Sequence, residues 1–126
     1  MPLCVKDMVA AANAAVAKIS PEDARKKIMA GNVLVVDVRE APEIAASGKI
    51  KGALCVSRGM LEFRADPDVP SHDKAFEQDK TVLLYCASGG RSALCGKTLK
   101  DMGYTDVYNL GAFKDWVESG GEVEQG

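Results

Sequence analysis

The chain of 126 residues has one histidine, one tryptophan and four cysteines. Each shortage excludes something. A single histidine leaves no multi-histidine metal site. The cysteines, at positions 4, 55, 86 and 95, are too sparse for a disulfide scaffold. They contain no C-x-x-C pair, so no structural zinc site is expected either. An excess of one charge is also missing: sixteen Lys and Arg stand against eighteen Asp and Glu, a net charge of −2. A nucleic-acid binder would show a basic excess. No apolar run approaches the roughly eighteen residues that a membrane-spanning helix needs. Neither nucleic acid nor membrane is therefore an expected partner.

What remains is an ordinary globular composition, 47% hydrophobic. The length fits one domain, able to bury roughly two-thirds of its unfolded surface. Near the N-terminus, Met8 to Ala17 is mostly apolar and ends Ala15-Val16-Ala17, a pattern that mimics a signal peptide. Against that, Asp7 offsets Lys6, the run has no leucine, and Asn13 interrupts it. Val5, Met8, Val9, Ala12, Val16 and Ile19 fall instead on one face at helical spacing. The expectation is an amphipathic helix from Val5 to Ala17, in an extension of residues 1–18, on a cytoplasmic protein with reduced thiols. The extension is expected to dock on the core or to form a dimer contact.

Ser20-Pro21-Glu22-Asp23 reads as a helix start, with a serine cap, proline in the first helical position and acids at the positive dipole end. The helix should stop at Gly31-Asn32. Val33-Leu34-Val35-Val36 is a continuous apolar run, the pattern of a strand covered on both faces. A short helix from Pro42 to Ser47 follows, closed by Gly48. Ala53 to Val56, Thr81 to Tyr85 and Asp106 to Leu110 read as further strands, and Arg58 to about Ala65 as a helix. Helices should follow the Cys86 loop as far as Met102, and cover Phe113 to Glu118. The polar tail from Gly120 should fray, residues 124–126 above all. Alternating strands and helices predict an α/β fold with a mostly parallel sheet. In such sheets sites gather at the carboxyl ends of strands. Two such ends carry chemistry here: Asp37-Val38-Arg39 and Cys86 to Arg91.

Cys86 stands where a buried strand turns into a helix. The small residues Ala87, Ser88, Gly89 and Gly90 let successive N–H groups converge on an anion, and Arg91 closes the loop. The helix that follows adds its positive end. A thiol held there should be acidified and nucleophilic without a general base. Read alone, a cysteine on a tight turn is as readily a small core residue. The Gly-Gly pair, the arginine and the strand–helix context favour the nucleophile.

From Ile19 to Val123 the sequence resembles the rhodanese-like sulfurtransferases. The likeness rests on an ordered set: Ile19-Ser20-Pro21-Glu22, Asp37-Val38-Arg39-Glu40, Ile50-Lys51-Gly52-Ala53 with Arg58-Gly59, Tyr85 to Ser92, and Gly103 to Gly111 followed by Trp116. The resemblance implies a rhodanese-like domain over residues 19–123, with five strands in a mostly parallel sheet flanked by helices on both faces. It implies a Cys86 persulfide, loaded by a small anionic donor such as thiosulfate or a persulfide. Cyanide, glutathione or a protein thiol would discharge it. Ala87, Ser88, Gly89, Gly90 and Arg91 would bind substrate and stabilise the persulfide, and neither a cofactor nor a metal is required. The related phosphatases have a loop one residue longer. The six residues from Cys86 to Arg91 match the sulfurtransferase length.

Arg58 is a candidate for substrate contact, the alternative being a solvated arginine at a helix start. Asp37 and Arg39 are expected to form a structural pair near the site. Lys49 stands where many family members have histidine. His72 is expected in an exposed loop, and Cys55 and Cys95 in the core. Besides a sulfurtransferase acting on small molecules, the sequence accommodates a persulfide carrier for a protein partner and a non-catalytic interaction module. The intact Cys86 disfavours the last.

Overall fold

A computed structural model describes residues 2–126. Helix α1 (Val5–Ala15) leads into a two-residue strand, β1 (Ala17–Lys18). Helix α2 (Pro21–Ala30) begins as its sequence dictates: Pro21 takes the first helical position, and the Asp23 N–H donates to Ser20 Oγ at 3.1 Å. Gly31 ends it at a φ of 90°, a conformation that side chains resist. The elements that follow are β2 (Val33–Asp37), α3 (Ala41–Ser47), β3 (Lys49–Ile50), β4 (Leu54–Cys55), a 3₁₀ turn (Arg58–Met60), α4 (Leu61–Ala65) and β5 (Thr81–Cys86). The chain closes with α5 (Gly90–Asp101), β6 (Val107–Ala112), α6 (Phe113–Glu118) and β7 (Val123–Glu124).

Five strands form one parallel sheet in the order β1-β6-β5-β2-β4. Alternation along the strands feeds two cores. On one face Leu34, Val36, Val82, Leu84 and Cys86 pack with Leu61, Cys95 and Leu99 of α4 and α5. On the other, Val35, Leu83 and Tyr85 pack with Ala24 of α2 and with Phe113 and Trp116 of α6. Helices on both faces explain why Val33–Val36 shows no polar alternation.

Four expectations need correction. The first helix stops at Ala15 rather than Ala17, because Ala17 and Lys18 pair with Tyr108 and Asn109 as the edge strand. The Ile19 N–H then donates to the Asn109 carbonyl at 3.1 Å. Of the predicted apolar face, Ala12 and Val16 are buried, while Val5 and Met8 remain 68% and 41% exposed. The extension nevertheless docks on the core, α1 lying against α5. Gly96 allows the close approach, since a β-carbon there would meet Val16 Cγ1 at 2.9 Å.

The tail does not fray at Glu124. β7 pairs antiparallel with β3, Glu124 accepts the Gly52 N–H at 2.7 Å, and Trp116 Nε1 donates to the Glu122 carbonyl at 2.9 Å. Cys55 is exposed rather than core, because β4 is the outermost strand and only Leu54 of the pair turns inward. His72 is partly covered, with Nε2 lying 3.3 Å from the Phe76 carbonyl.

Candidate active site

Strand parity aims Cys86 at the α5 face, the last of the series Val82, Leu84, Cys86. The chain then turns sharply through Ala87 to Gly89 and enters α5. Gly89 has a φ of 99°, and a β-carbon there would lie 3.4 Å from Gly111 Cα on β6. Glycine is thus required by the left-handed turn, while a β-carbon there would only touch the neighbouring strand. The turn brings the Gly89 N–H to 3.0 Å from Cys86 Sγ as a donor.

Beneath the loop lies a buried polar knot that sequence reasoning missed. Ser92 Oγ is 3.4 Å from Cys86 Sγ, 3.2 Å from the Gly89 carbonyl and 2.7 Å from Asn109 Oδ1. Asn109 Nδ2 donates in turn to the Gly89 carbonyl at 3.2 Å. Both residues are buried. The available signal was an asparagine inside an otherwise apolar strand, a polar group that needs partners when buried.

Burial alone would raise the Cys86 thiol. Hydrogen bonds from the Ser92 side chain and from the backbone of Ser92, Ser88 and Gly89 outweigh it, and the thiol lies below its ordinary value. Alkylation of Cys86 should therefore have its pH midpoint below that of a free cysteine. Ser92→Ala should move that midpoint upward, as read by iodoacetamide rates across pH. A midpoint unchanged in Ser92→Ala would remove the hydroxyl from this account.

Arg91 turns toward α3. Its guanidinium grips Glu43 through two bonds, Nη1 to Oε1 at 2.7 Å and Nη2 to Oε2 at 2.9 Å. Glu43 was not singled out in the sequence, although its spacing from Glu40 is that of a capping box, in which the Glu40 N–H donates to Glu43 Oε1. The Arg91 bond holds the Glu43 carboxyl down at about 2. A lowered folded value stabilises above the ordinary carboxylate range, and that stabilisation is lost as pH falls toward about 2.

Asp37 and Arg39 form a second bidentate pair on the opposite face of the sheet. Arg39 Nη2 reaches Asp37 Oδ2 at 2.7 Å, and Nε reaches Oδ1 at 3.0 Å. Arg39 also donates to Ser47 Oγ and to the Gly48 carbonyl, both at 2.8 Å, and covers the Phe113 ring at 4.5 Å. The pair fixes the end of β2 beside the end of β5.

Ala87 and Ser88 are exposed. Ser88, Gly89 and Gly90 line a cleft shared with α1 and β6. Arg58 lies elsewhere, exposed along a different cleft with Glu62, Cys95 and Thr98. The structure thus brings together Cys86, the loop amides and Arg91, but does not put Arg58 in the cleft lined by that loop. None of the described helices is long and apolar enough to cross a membrane.

A buried cysteine closes a parallel strand here, with amide donors opening the next helix, in an α/β domain with helices on both faces of the sheet. Within that class the chain belongs to the rhodanese-like domain family, which it matches over residues 20–119, and so to a family of sulfurtransferases. It is 29% identical to the human thiosulfate:glutathione sulfurtransferase over 107 residues, 79% of this chain and 92% of that one. It is 35% identical to the Saccharomyces cerevisiae enzyme of the same name, over 72% of this chain and 69% of that one. A solved Rhodopseudomonas palustris protein of unknown function, titled a possible tyrosine phosphatase, superposes with a TM-score of 0.87 at 40% identity, over 98% of this chain and 99% of that one. Other relatives are longer. The chain spans 63% of an uncharacterised Bacillus subtilis protein and 36% of the Rickettsia typhi tRNA uridine(34) hydroxylase.

Proposed function

We propose that this protein moves sulfane sulfur from thiosulfate or a persulfide donor, through a persulfide on Cys86, to a thiophilic acceptor such as cyanide, glutathione or a protein thiol. The observation that carries the proposal is the acidified Cys86 thiol under the Gly89 N–H. The thiolate attacks the outer sulfur of the donor. The new bond joins Sγ to that sulfur, the donor's S–S bond breaks, and its electron pair leaves on sulfite or on a thiolate. The amides from Ala87 to Arg91 stabilise the negative charge on the thiolate before attack and on the persulfide after it. Arg91, held by Glu43, anchors the start of α5 and sets the loop. Arg58, exposed near the same end of the sheet, attracts anionic donors without holding them in the loop.

The loop length argues against phosphoryl chemistry. Cys86 to Arg91 spans six residues, one fewer than the phosphatases of this fold use around a tetrahedral oxyanion. The reduced protein, incubated with thiosulfate and freed of excess donor, should gain the mass of one sulfur atom. Cyanide should then remove it as thiocyanate. No gain in mass, together with hydrolysis of an aryl phosphate, would replace this reading with the phosphatase one. The thiol chemistry fits the reducing cytoplasm as its compartment.

A further inference from the structure

Below the reactive loop, one hydroxyl proton has more acceptors than it can serve. Ser92 Oγ lies 2.7 Å from Asn109 Oδ1, 3.2 Å from the Gly89 carbonyl and 3.4 Å from Cys86 Sγ. A hydroxyl donates once. The Gly89 carbonyl is already occupied: it accepts the Ala93 N–H at 3.1 Å and Asn109 Nδ2 at 3.2 Å, which fills its two lone pairs. The bond from Nδ2 also fixes which way the Asn109 amide points, since a turned amide would set oxygen against oxygen. Oδ1 therefore faces Ser92. Ser92 and Asn109 are 0% and 4% exposed, so bulk water does not relieve the competition. The proton's choice lies between Asn109 Oδ1 and Cys86 Sγ.

We infer that Asn109 is a positioning residue of the transfer cycle: it holds the Ser92 proton while Cys86 carries sulfur, and yields it to Sγ when Cys86 is a bare thiolate. What concerns the loaded state rests on the sulfurtransferase reading above. A thiolate is a charged acceptor and outcompetes a neutral amide oxygen. During loading by thiosulfate, Sγ bonds the outer sulfur, the donor S–S bond breaks, and its electron pair leaves on sulfite. The negative charge then sits on the terminal sulfur, and Sγ becomes a weak acceptor. The Ser92 hydroxyl swings about its Cβ–Oγ bond back to Asn109. The swing transfers no proton from Ser92 and oxidises or reduces nothing. Asn109 thus favours the loaded protein over the free thiolate. The charged surroundings stay as they are: Arg91 of α5 faces Cys86, Glu43 of α3 balances it, and Cys95, one turn beyond Ser92, is kept a neutral thiol by burial.

The test uses full-length protein carrying Asn109→Leu, which keeps the size of the side chain and removes both amide groups. Only the longer contact to the Gly89 carbonyl then competes with Sγ. The pH midpoint for alkylation by iodoacetamide should move down, the reverse of Ser92→Ala, with the thiolate fraction well below that midpoint raised about fivefold. In a Ser92→Ala background the same change should add nothing, because no proton is left to share. At a fixed ratio of thiosulfate to sulfite, and a pH above the midpoint, the loaded-to-free ratio read by intact mass should fall about fivefold. An asparagine that merely propped the loop would give the opposite sign, since its loss would draw the Gly89 N–H away from Sγ and raise the midpoint. A midpoint raised or unchanged, or an equal effect with and without the Ser92 hydroxyl, would overturn the assignment.

If the variant does not fold, the wild-type protein decides. Asn109 Cγ loses its hydrogen bond as Cys86 ionises, so its NMR shift should titrate with the alkylation midpoint and return on loading with thiosulfate. A shift that ignores the titration, or that keeps its thiolate value in the loaded protein, would overturn the proposal. If thiosulfate loads no sulfur, the sulfurtransferase reading fails by itself, and the titration still decides whether Asn109 competes for the proton.

Discussion

Cys86→Ser is expected to lower kcat/KM for thiosulfate-to-cyanide transfer by about 10⁴-fold or more. The serine oxygen fills nearly the same volume and still accepts the Gly89 N–H, so stability should change little. The chemistry fails because no S–S bond can form at oxygen and a hydroxyl does not ionise at neutral pH. No other thiol stands in. Cys95 is buried, and desolvation pushes it up to about 12, leaving a thiolate fraction of about 10⁻⁵ at neutral pH. Cys4 and Cys55 are exposed but lie outside the loop. Steady-state thiocyanate formation, with circular dichroism on both proteins, reads the result. Retention of a tenth of the wild-type rate would move the nucleophile away from Cys86.

Asp37→Ala should cost about 3–5 kcal/mol of folding stability, a large share of the roughly 5–15 kcal/mol a domain has. The loss comes mainly from what is left behind. Arg39 is only 4% exposed and always charged, and three of its contacts, at 2.7, 3.0 and 3.2 Å, are to the Asp37 carboxylate. The bonds to Ser47 and Gly48 orient the guanidinium but supply no negative charge. Tyr85 would feel the change too, since Arg39 lies over its ring at 5.7 Å and Tyr85 stacks on Phe113 with centroids 5.8 Å apart. Cys86 is the next residue, so loosening this knot should also lower turnover at temperatures where the variant remains folded. Urea unfolding measures the stability. A loss under 1 kcal/mol would mean that water or another side chain relieves Arg39 at little cost.

Much of this arrangement was legible beforehand because it is local. The Ser20–Pro21 cap, the Gly31 stop and the apolar run Val33–Val36 each depend on residues adjacent in the chain. So does the Cys86 turn, whose left-handed Gly89 is the residue type such a turn requires. The features that escaped are set by partners far away. Val123 and Glu124 are unremarkable until Lys49 and Ile50, more than seventy residues earlier, offer them an edge. Ala17 and Lys18 continue a helical pattern in sequence, but the open side of β6 captures them as a strand. Glu43 is recognisable as a capping residue, whereas its second role needs Arg91 from another helix. Ser92 and Asn109 gain their meaning only when β6 and α5 meet beneath the loop.

The two-residue strand Ala17–Lys18 has a consequence for how short this protein can be made. With Ile19, it occupies hydrogen-bonding positions along β6 that would otherwise face solvent. A chain begun at Ile19, where the family likeness begins, would lose the helix that covers α5 and expose part of a parallel-sheet rim. Unsatisfied rims of that kind recruit strands from other molecules. Such a trimmed protein should therefore self-associate as its concentration rises, and its stickiness would say nothing about the natural assembly. Helix α1 and strand β1 act as a selvage, the woven border that keeps a cloth from unravelling into its neighbour.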